Sequence, residues 1–278
     1  MTRWGDKTWF VTGASAGFGK VFVEEVLARG GRVIATARDP AALAYLADQP
    51  AERALVLPLD VTNRIQINET ISAAQEFGGF DVLVNNAGYG FLGGVEESDD
   101  EEIEAQFAVN FFGALNLIRA ALPGLRGRGA GYILNISSVA GLRGYAGAGY
   151  YCASKFALEG LSEALAGEVA GFGLRVMLIE PGYFRTDFAG RSMFTTRHPH
   201  PDYPVLAARR DQVRAGDGEQ PGDPLLGVRA ILTAMEAAEP PLRLTLGPDG
   251  YAVTADVSRT RLAEADRWRD ISESTSFA

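Results

Sequence analysis

Short apolar runs alternate with amphipathic stretches along most of the chain. Lys7 to Val11 reads as a buried strand. After Thr12 to Gly19 come Phe22, Val23, Val26 and Leu27, spaced to share one face of a helix. Arg32 to Thr36 completes a strand–helix–strand unit, Ala41 to Asp48 is a short helix, Ala54 to Leu57 a third strand, and Ile65 to Phe77 a longer helix. Val82 to Val84, Ile133 to Ile136, Arg175 to Glu180 and Leu242 to Leu246 continue the strands. Gly149 to Gly171, Leu225 to Ala237 and Ala252 to Trp268 continue the helices. Runs that stay apolar without alternating, as around Val33, Val82 to Val84 and Val176 to Ile179, suit strands buried on both faces of a parallel sheet. Regularity lapses between Asp187 and Asp223, where Pro199, Pro201, Pro204 and Pro221 interrupt it; a long irregular segment in a compact domain is expected to be a binding loop.

The 278 residues, 47% of them hydrophobic, can bury a sizeable core. No linker-like run precedes the last third, so one domain over residues 1–278 is expected, with a substrate loop at about 187–223 and a helical tail at about 252–271. No apolar run in the sequence reads as long enough to cross a bilayer, and the N-terminus lacks a signal-peptide pattern. One cysteine excludes an internal disulfide, so a reducing, cytoplasmic setting is expected. A net charge of −9 gives no general attraction to nucleic-acid phosphates or anionic lipid, so neither partner is expected. An anionic ligand must be held by local donors instead.

Gly13, Gly17 and Gly19 separate the first strand from the first helix. Glycine permits a tight turn and close approach of backbone amides to a pyrophosphate, while the helix start adds unpaired N–H groups and partial positive charge. Thr12 to Gly19 is therefore a candidate dinucleotide loop; glycines that merely turn the chain would read the same way in isolation. Tyr151 and Lys155 stand four apart, so on a helix they share a face with β-carbons about 5–6 Å apart. A cation there favours the phenolate and brings tyrosine, ordinarily near about 10, towards use as an acid and base. Ser138 adds a hydroxyl at a strand end, whereas Tyr150 falls off the lysine's face and Ser137 points to the other side of its strand. Alone, such a pair also fits an exposed amphipathic helix.

Asn110 sits among Phe107, Val109, Phe111 and Phe112, where a carboxamide costs about 1–3 kcal/mol unless it is hydrogen-bonded. Ser98 to Glu101 reads as a capping box, and the acids from Glu96 to Glu104 as a solvated first turn. Cys152 is expected to be small packing, and His198 and His200 lack a carboxylate or cysteine set for metal. No metal site is expected.

In this order, Thr12 to Gly19, Asp60-Val61, Asn85 to Gly88, Asn110, Ser138, Tyr151 with Lys155, and Pro181-Gly182 with Thr186 resemble the motifs of the short-chain dehydrogenase/reductase (SDR) family, over nearly the whole chain. The resemblance implies an α/β fold with a Rossmann-like, doubly wound, mostly parallel sheet in three αβα layers. It implies a nicotinamide cofactor and hydride exchange with a small-molecule carbonyl or alcohol. It also implies catalytic roles for Asn110, Ser138, Tyr151 and Lys155, with a lowered Tyr151 pKa and a water linking Asn110 to Lys155. Cofactor contacts are implied from Gly13, Ser15, Ala16, Gly17, Phe18 and Gly19, and from Asp60 and Val61 at the adenine. Asn86, Ala87 and Gly88 follow, then Tyr151 and Lys155, then Pro181, Gly182 and Thr186 around the nicotinamide. An ordinary helix-capping Asp60 is the other reading of that residue.

NAD-preferring members place an acid at the end of the second strand, where this chain has Ala37 followed by Arg38. NADP (NADPH) is therefore expected, with Arg38 on its 2′-phosphate. Phe188, Met193 and Phe194 suggest an apolar substrate wall, with Arg143 and Tyr145 near the substrate. The family's homodimer and homotetramer both remain open, as do two roles for the tail: covering the site or blocking one oligomer interface. A non-catalytic, NADP-responsive regulatory protein is the other functional class, although binding alone has no need of Asn110, Ser138, Tyr151 and Lys155 together.

Overall fold

Seven strands form one sheet, in the order Ala54–Pro58, Arg32–Ala37, Thr8–Val11, Val82–Asn85, Gly131–Ile136, Leu174–Pro181 and Arg243–Leu246, with every neighbouring pair parallel. The computed structural model describes Trp4 and residues 7–277; residues 1–3, 5, 6 and 278 of the expected unit lie outside the described residues. In chain order the elements are β1 (Thr8–Val11), α1 (Gly17–Ala28), β2 (Arg32–Ala37), a 3₁₀ segment (Pro40–Leu46), β3 (Ala54–Pro58), α2 (Arg64–Glu76), β4 (Val82–Asn85) and β5 (Gly90–Leu92). Next come α3 (Asp100–Phe107), a π-helical turn (Ala108–Gly113), α4 (Ala114–Arg128), β6 (Gly131–Ile136), α5 (Gly149–Val169) and β7 (Leu174–Pro181). The chain closes with β8 (Met193–Thr195), α6 (Pro204–Ala215), α7 (Pro224–Met235), β9 (Arg243–Leu246), α8 (Pro248–Arg267) and α9 (Arg269–Glu273).

Successive strand residues point to opposite faces, which divides the core into two layers. Trp9, Val11, Val33, Val84 and Met177 pack with α1 and α7 on one side. Phe10, Ile34, Leu83, Ile133 and Val176 pack with α2, α4 and α5 on the other. This is the Rossmann-like three-layer arrangement. The strand order reverses between β1 and β4, where an open parallel sheet presents its ligand crevice at the carboxyl ends of the strands.

Several sequence expectations change in detail. Pro40–Leu46 is 3₁₀ rather than α-helical, with Asp39 accepting from the Ala41 N–H at its start. The capping box lies one residue further along than Ser98 to Glu101: Asp99 accepts from the Glu102 N–H while the Glu102 side chain accepts from the Asp99 N–H. The segment 187–223 is not irregular throughout, since it holds β8 and α6. Pro204, read as an interruption, opens α6, where a missing N–H costs nothing. Finally, Asp100–Arg128 is one continuous helical run whose length and composition suffice to cross a bilayer, contrary to the expectation of no such run. The sequence pattern concealed it because Asn110 and Pro123 interrupt the apolar positions; in this fold Leu117, Ile118, Ala121 and Leu125 of that run lie in the core.

Candidate active site

A cavity of about 1050 Å³ opens at the C-terminal ends of the central strands. The turn after β1 supplies Gly13, Ser15, Ala16, Gly17 and Phe18 to its wall. Gly17 has φ +52 and a Cβ built there would lie 3.5 Å from Thr186 Cβ, so the loop stands right beside Thr186. Gly19 does not line the cavity. A Cβ there would stand 2.3 Å from the Gly13 carbonyl oxygen and 2.5 Å from Asn86 Nδ2, so this glycine lets helix and loop meet. The α1 N-cap, Ala16, has no side chain to satisfy the helix's first N–H groups, leaving them for an anion.

The remaining expected cofactor positions, Arg38, Asp60, Val61, Asn86, Ala87, Gly88, Pro181, Gly182 and Thr186, all line the same cavity. Asn86 Nδ2 donates to the Thr12 and Gly13 carbonyls at 2.9 and 3.1 Å, so its side chain braces the glycine loop. Asp60 Oδ1 accepts from the Thr62 N–H and hydroxyl at 2.9 and 2.7 Å; Asn63, not Asp60, caps α2. Arg38 forms no ion pair among the described residues. A glycine cradle, uncapped helix amides and an unneutralised guanidinium fit a nicotinamide dinucleotide.

Ser138, Tyr151 and Lys155 meet in the cavity. Ser138 follows β6 in extended conformation, and its hydroxyl lies by the Tyr151 phenol, where it favours the ionised form. Burial drives the Tyr151 pKa up against the opposing influence of Ser138. The expected lowering by Lys155 is not found: its ammonium lies 5.9 Å from the phenol ring's centroid and is turned to the Ile136 carbonyl, to which it donates at 2.8 Å. Burial brings Lys155 itself down to about 8, against the opposing pull of Glu159 one turn on. Tyr150 turns away, as its spacing predicts, and donates to the Val95 carbonyl.

Asn110 does not line the cavity. It lies in the π-helical turn, 2% exposed, where Oδ1 accepts from the Tyr89 N–H at 3.0 Å. Its Nδ2 donates to the Tyr89 carbonyl at 2.9 Å and the Ser154 hydroxyl at 3.3 Å. The polar partner demanded by its burial is thus protein: the carboxamide ties the strand following Gly88 to α5. The added residue per turn in a π segment is a recurrent feature of functional sites.

The acids from Glu96 to Glu104, expected to be a solvated turn, largely hold the 196–210 segment. Glu97 is buried and accepts from Arg210 at 2.8 and 3.3 Å and from the Gly94 and His200 N–H groups. Burial works to raise its carboxyl, but these donors outweigh it and the pKa lies below the usual carboxylate value. Glu102 accepts from the Thr196 hydroxyl and the Arg197 N–H, and Asp99 pairs with Arg197 and His198. No cluster among the described residues offers three metal-ligating side chains.

Phe188, Met193, Phe194 and Tyr145 line the cavity as expected, whereas Arg143 does not and pairs instead with Asp256 on α8. That helix contributes nothing to the wall; Arg261 donates to the Leu142 carbonyl, so the tail packs behind the loop that follows Ser138. Sequence reasoning passed over Tyr89, Tyr183 and Arg209 in the wall, and Asp249, which accepts from the Tyr183 N–H at 2.7 Å and pins the turn after Pro181. Tyr89 and Tyr183 had a signal, directly after the Asn-Asn-Ala-Gly run and within Pro181 to Thr186; Arg209 and Asp249 lie where no local pattern marks them.

A family model described as short chain dehydrogenase matches residues 7–195. The oxidoreductase BOA17 of Botryotinia fuckeliana (strain B05.10) is 36% identical over 96% of this chain and 98% of its own length. A crystal structure of a short-chain dehydrogenase from Streptomyces avermitilis superposes with a TM-score of 0.91 at 40% identity, covering 98% of this chain and 100% of that one. A short chain dehydrogenase/reductase from Burkholderia phymatum, solved with NAD, gives 0.79 at 28% identity over 93% and 94%. A short chain dehydrogenase from Burkholderia cenocepacia J2315, solved with NADP, gives 0.75 at 26% over 94% and 97%.

Proposed function

The chain belongs to the short-chain dehydrogenase/reductase family, oxidoreductases that use a nicotinamide cofactor, and from that membership we propose that it reduces a ketone or aldehyde with NADPH, or runs the reverse oxidation. The observation that carries this reading is the convergence of the Ser138 and Tyr151 hydroxyls, with the Lys155 ammonium behind them, in the cavity walled by the glycine loop. Pure binding has no use for that trio.

The nicotinamide, when bound, supplies or accepts the hydride at its C4. Tyr151, kept protonated by burial, gives its phenolic proton to the carbonyl oxygen as the carbonyl carbon takes up hydride. The carbonyl compound would leave as an alcohol whose hydroxyl proton comes from Tyr151. Ser138 donates to the same oxygen, stabilising the charge that develops on it. Lys155 holds positive charge behind the forming phenolate and keeps donors free for the nicotinamide ribose beyond the one spent on Ile136. Asn110 positions the wall at Tyr89 and the helix that carries Tyr151. Arg38, with Ala37 in place of an acid, supports NADP over NAD.

Tyr151→Phe tests the assignment. NADPH binding, followed by nucleotide fluorescence, is expected to persist while carbonyl reduction falls by about 10²–10⁴-fold. Substantial activity in that variant would overturn the role of Tyr151, and tight NADPH binding without turnover across a broad carbonyl panel would overturn the enzymatic reading.

A further inference from the structure

Five cations line the cavity in a chain whose 35 acids outnumber its 26 lysines and arginines. Two of the arginines are neutralised: Arg191 pairs with Asp187 at 3.3 Å, and Arg197 with Asp99, Glu101 and Glu102. Lys155 has Glu159 near it. Arg38 and Arg209 have no acid partner among the described residues. Arg38 stands beside the glycine loop at the nucleotide end. Arg209 comes from α6 and lies with the aromatic residues on the substrate side.

Arg209 is half-buried, and two hydrogen bonds orient its guanidinium. Nη1 donates to Gln212 Oε1 at 3.1 Å, and Nη2 donates to the Tyr183 hydroxyl oxygen at 3.2 Å. Tyr183 accepts in that contact, so its own O–H remains available as a donor. Arg209 and Tyr183 line the same cavity as Tyr145 and Tyr151. A planar guanidinium fork next to a hydroxyl donor, in a cavity also lined by Tyr145, Phe188 and Met193, matches a carboxylate on an otherwise apolar molecule.

Resting on the reductase reading, we propose that the preferred substrate is an apolar oxo acid whose ketone or aldehyde lies at Tyr151 and whose carboxylate, several bonds away, is bound by Arg209 and the Tyr183 hydroxyl. Arg209 is then a specificity-determining residue. It adds nothing to the chemistry at the carbonyl and selects which carbonyl compound is held there.

The experiment compares a graded series of ω-oxo-ω-phenylalkanoic acids with their methyl esters, using NADPH and initial rates. For the chain length that fits, the wild-type enzyme is expected to favour acid over ester by roughly tenfold or more in kcat/KM, expressed mainly in KM, equivalent to about 1.4 kcal/mol. In Arg209→Ala the acid-to-ester ratio is expected to collapse towards one, and Arg209→Lys to recover part of it. Esters reduced as well as the acids by the wild type, or an acid preference that survives in Arg209→Ala, would overturn the inference while leaving the reductase reading intact. Reduction of neither series would overturn the inference alone; the reductase reading falls only if the broad carbonyl panel also gives no turnover.

Discussion

Lys155 brings an ammonium into a nearly sealed position with one backbone carbonyl as its hydrogen-bond partner, and its pKa falls from the model-peptide value of 10.5 to about 8. The folded state therefore binds fewer protons than the unfolded chain between those values, and stability linked to this group rises with pH across the window. Below about 8 the full penalty of a buried charge is present, and above 10.5 it is gone. Urea denaturation of wild type and Lys155→Met should show their difference moving in favour of the wild type from pH 8 to 10.5; a difference that stays flat would contradict the burial of the charge. Arg38 presents a second residue-scale test. If it binds the 2′-phosphate, the NADPH-over-NADH ratio of catalytic efficiencies should fall by about 10- to 100-fold in Arg38→Ala, since a charge-assisted hydrogen bond contributes about 1.5–3 kcal/mol. Ala37→Asp should move the ratio the same way, and a wild type that prefers NADH would reject the cofactor assignment. Lys155 was legible from its spacing to Tyr151, and Arg38 from the resemblance to a family whose NAD-preferring members carry an acid at the end of the second strand. Arg209 was not, because its significance lies in the acids that fail to reach it.

At the scale of elements, α6 and the strand before it are latched to the turn before α3 chiefly through Glu97 and Arg210, whose side chains are 0% and 10% exposed. Removing one member of a buried pair leaves the other charge uncompensated, at about 3–5 kcal/mol. Arg210→Ala is expected to lose stability on that order in urea denaturation, and Glu97→Gln added to it should recover part of the loss. An equal deficit in single and double variants would mean the two are uncoupled. The sequence pattern located the eventual strands and helices of the central sheet to within a few residues, since buried parallel strands announce themselves as apolar runs. It misread α6, where Pro199, Pro201 and Pro204 suggested a breakdown of order. It also misread the acids before α3, whose partners Thr196, Arg197 and Arg210 are almost a hundred residues or more away in sequence.

The whole molecule places its tail on the far side of the active-site loop. Through Arg143–Asp256 and Arg261–Leu142, α8 steadies residues 142 and 143, while Asp249 at its start holds the turn after Pro181. Deleting the chain from Ala252 onward keeps Asp249 and removes the other two contacts. The expected result is an unchanged NADPH affinity by titration calorimetry and a raised KM for the carbonyl substrate. Loss of nucleotide binding instead would show that the tail supports the entire sheet edge.

By itself the sequence determined the alternation of strands and helices, the glycine loop and the Ser138, Tyr151 and Lys155 trio, because period, turn chemistry and helical spacing are properties of neighbours along the chain. Tertiary structure decided which charges are neutralised, which way the Tyr151 pKa moves, what satisfies Asn110 and what the tail touches. Those outcomes depend on loss of solvent and on groups brought together from distant segments, and neither burial nor long-range proximity is written in any local pattern.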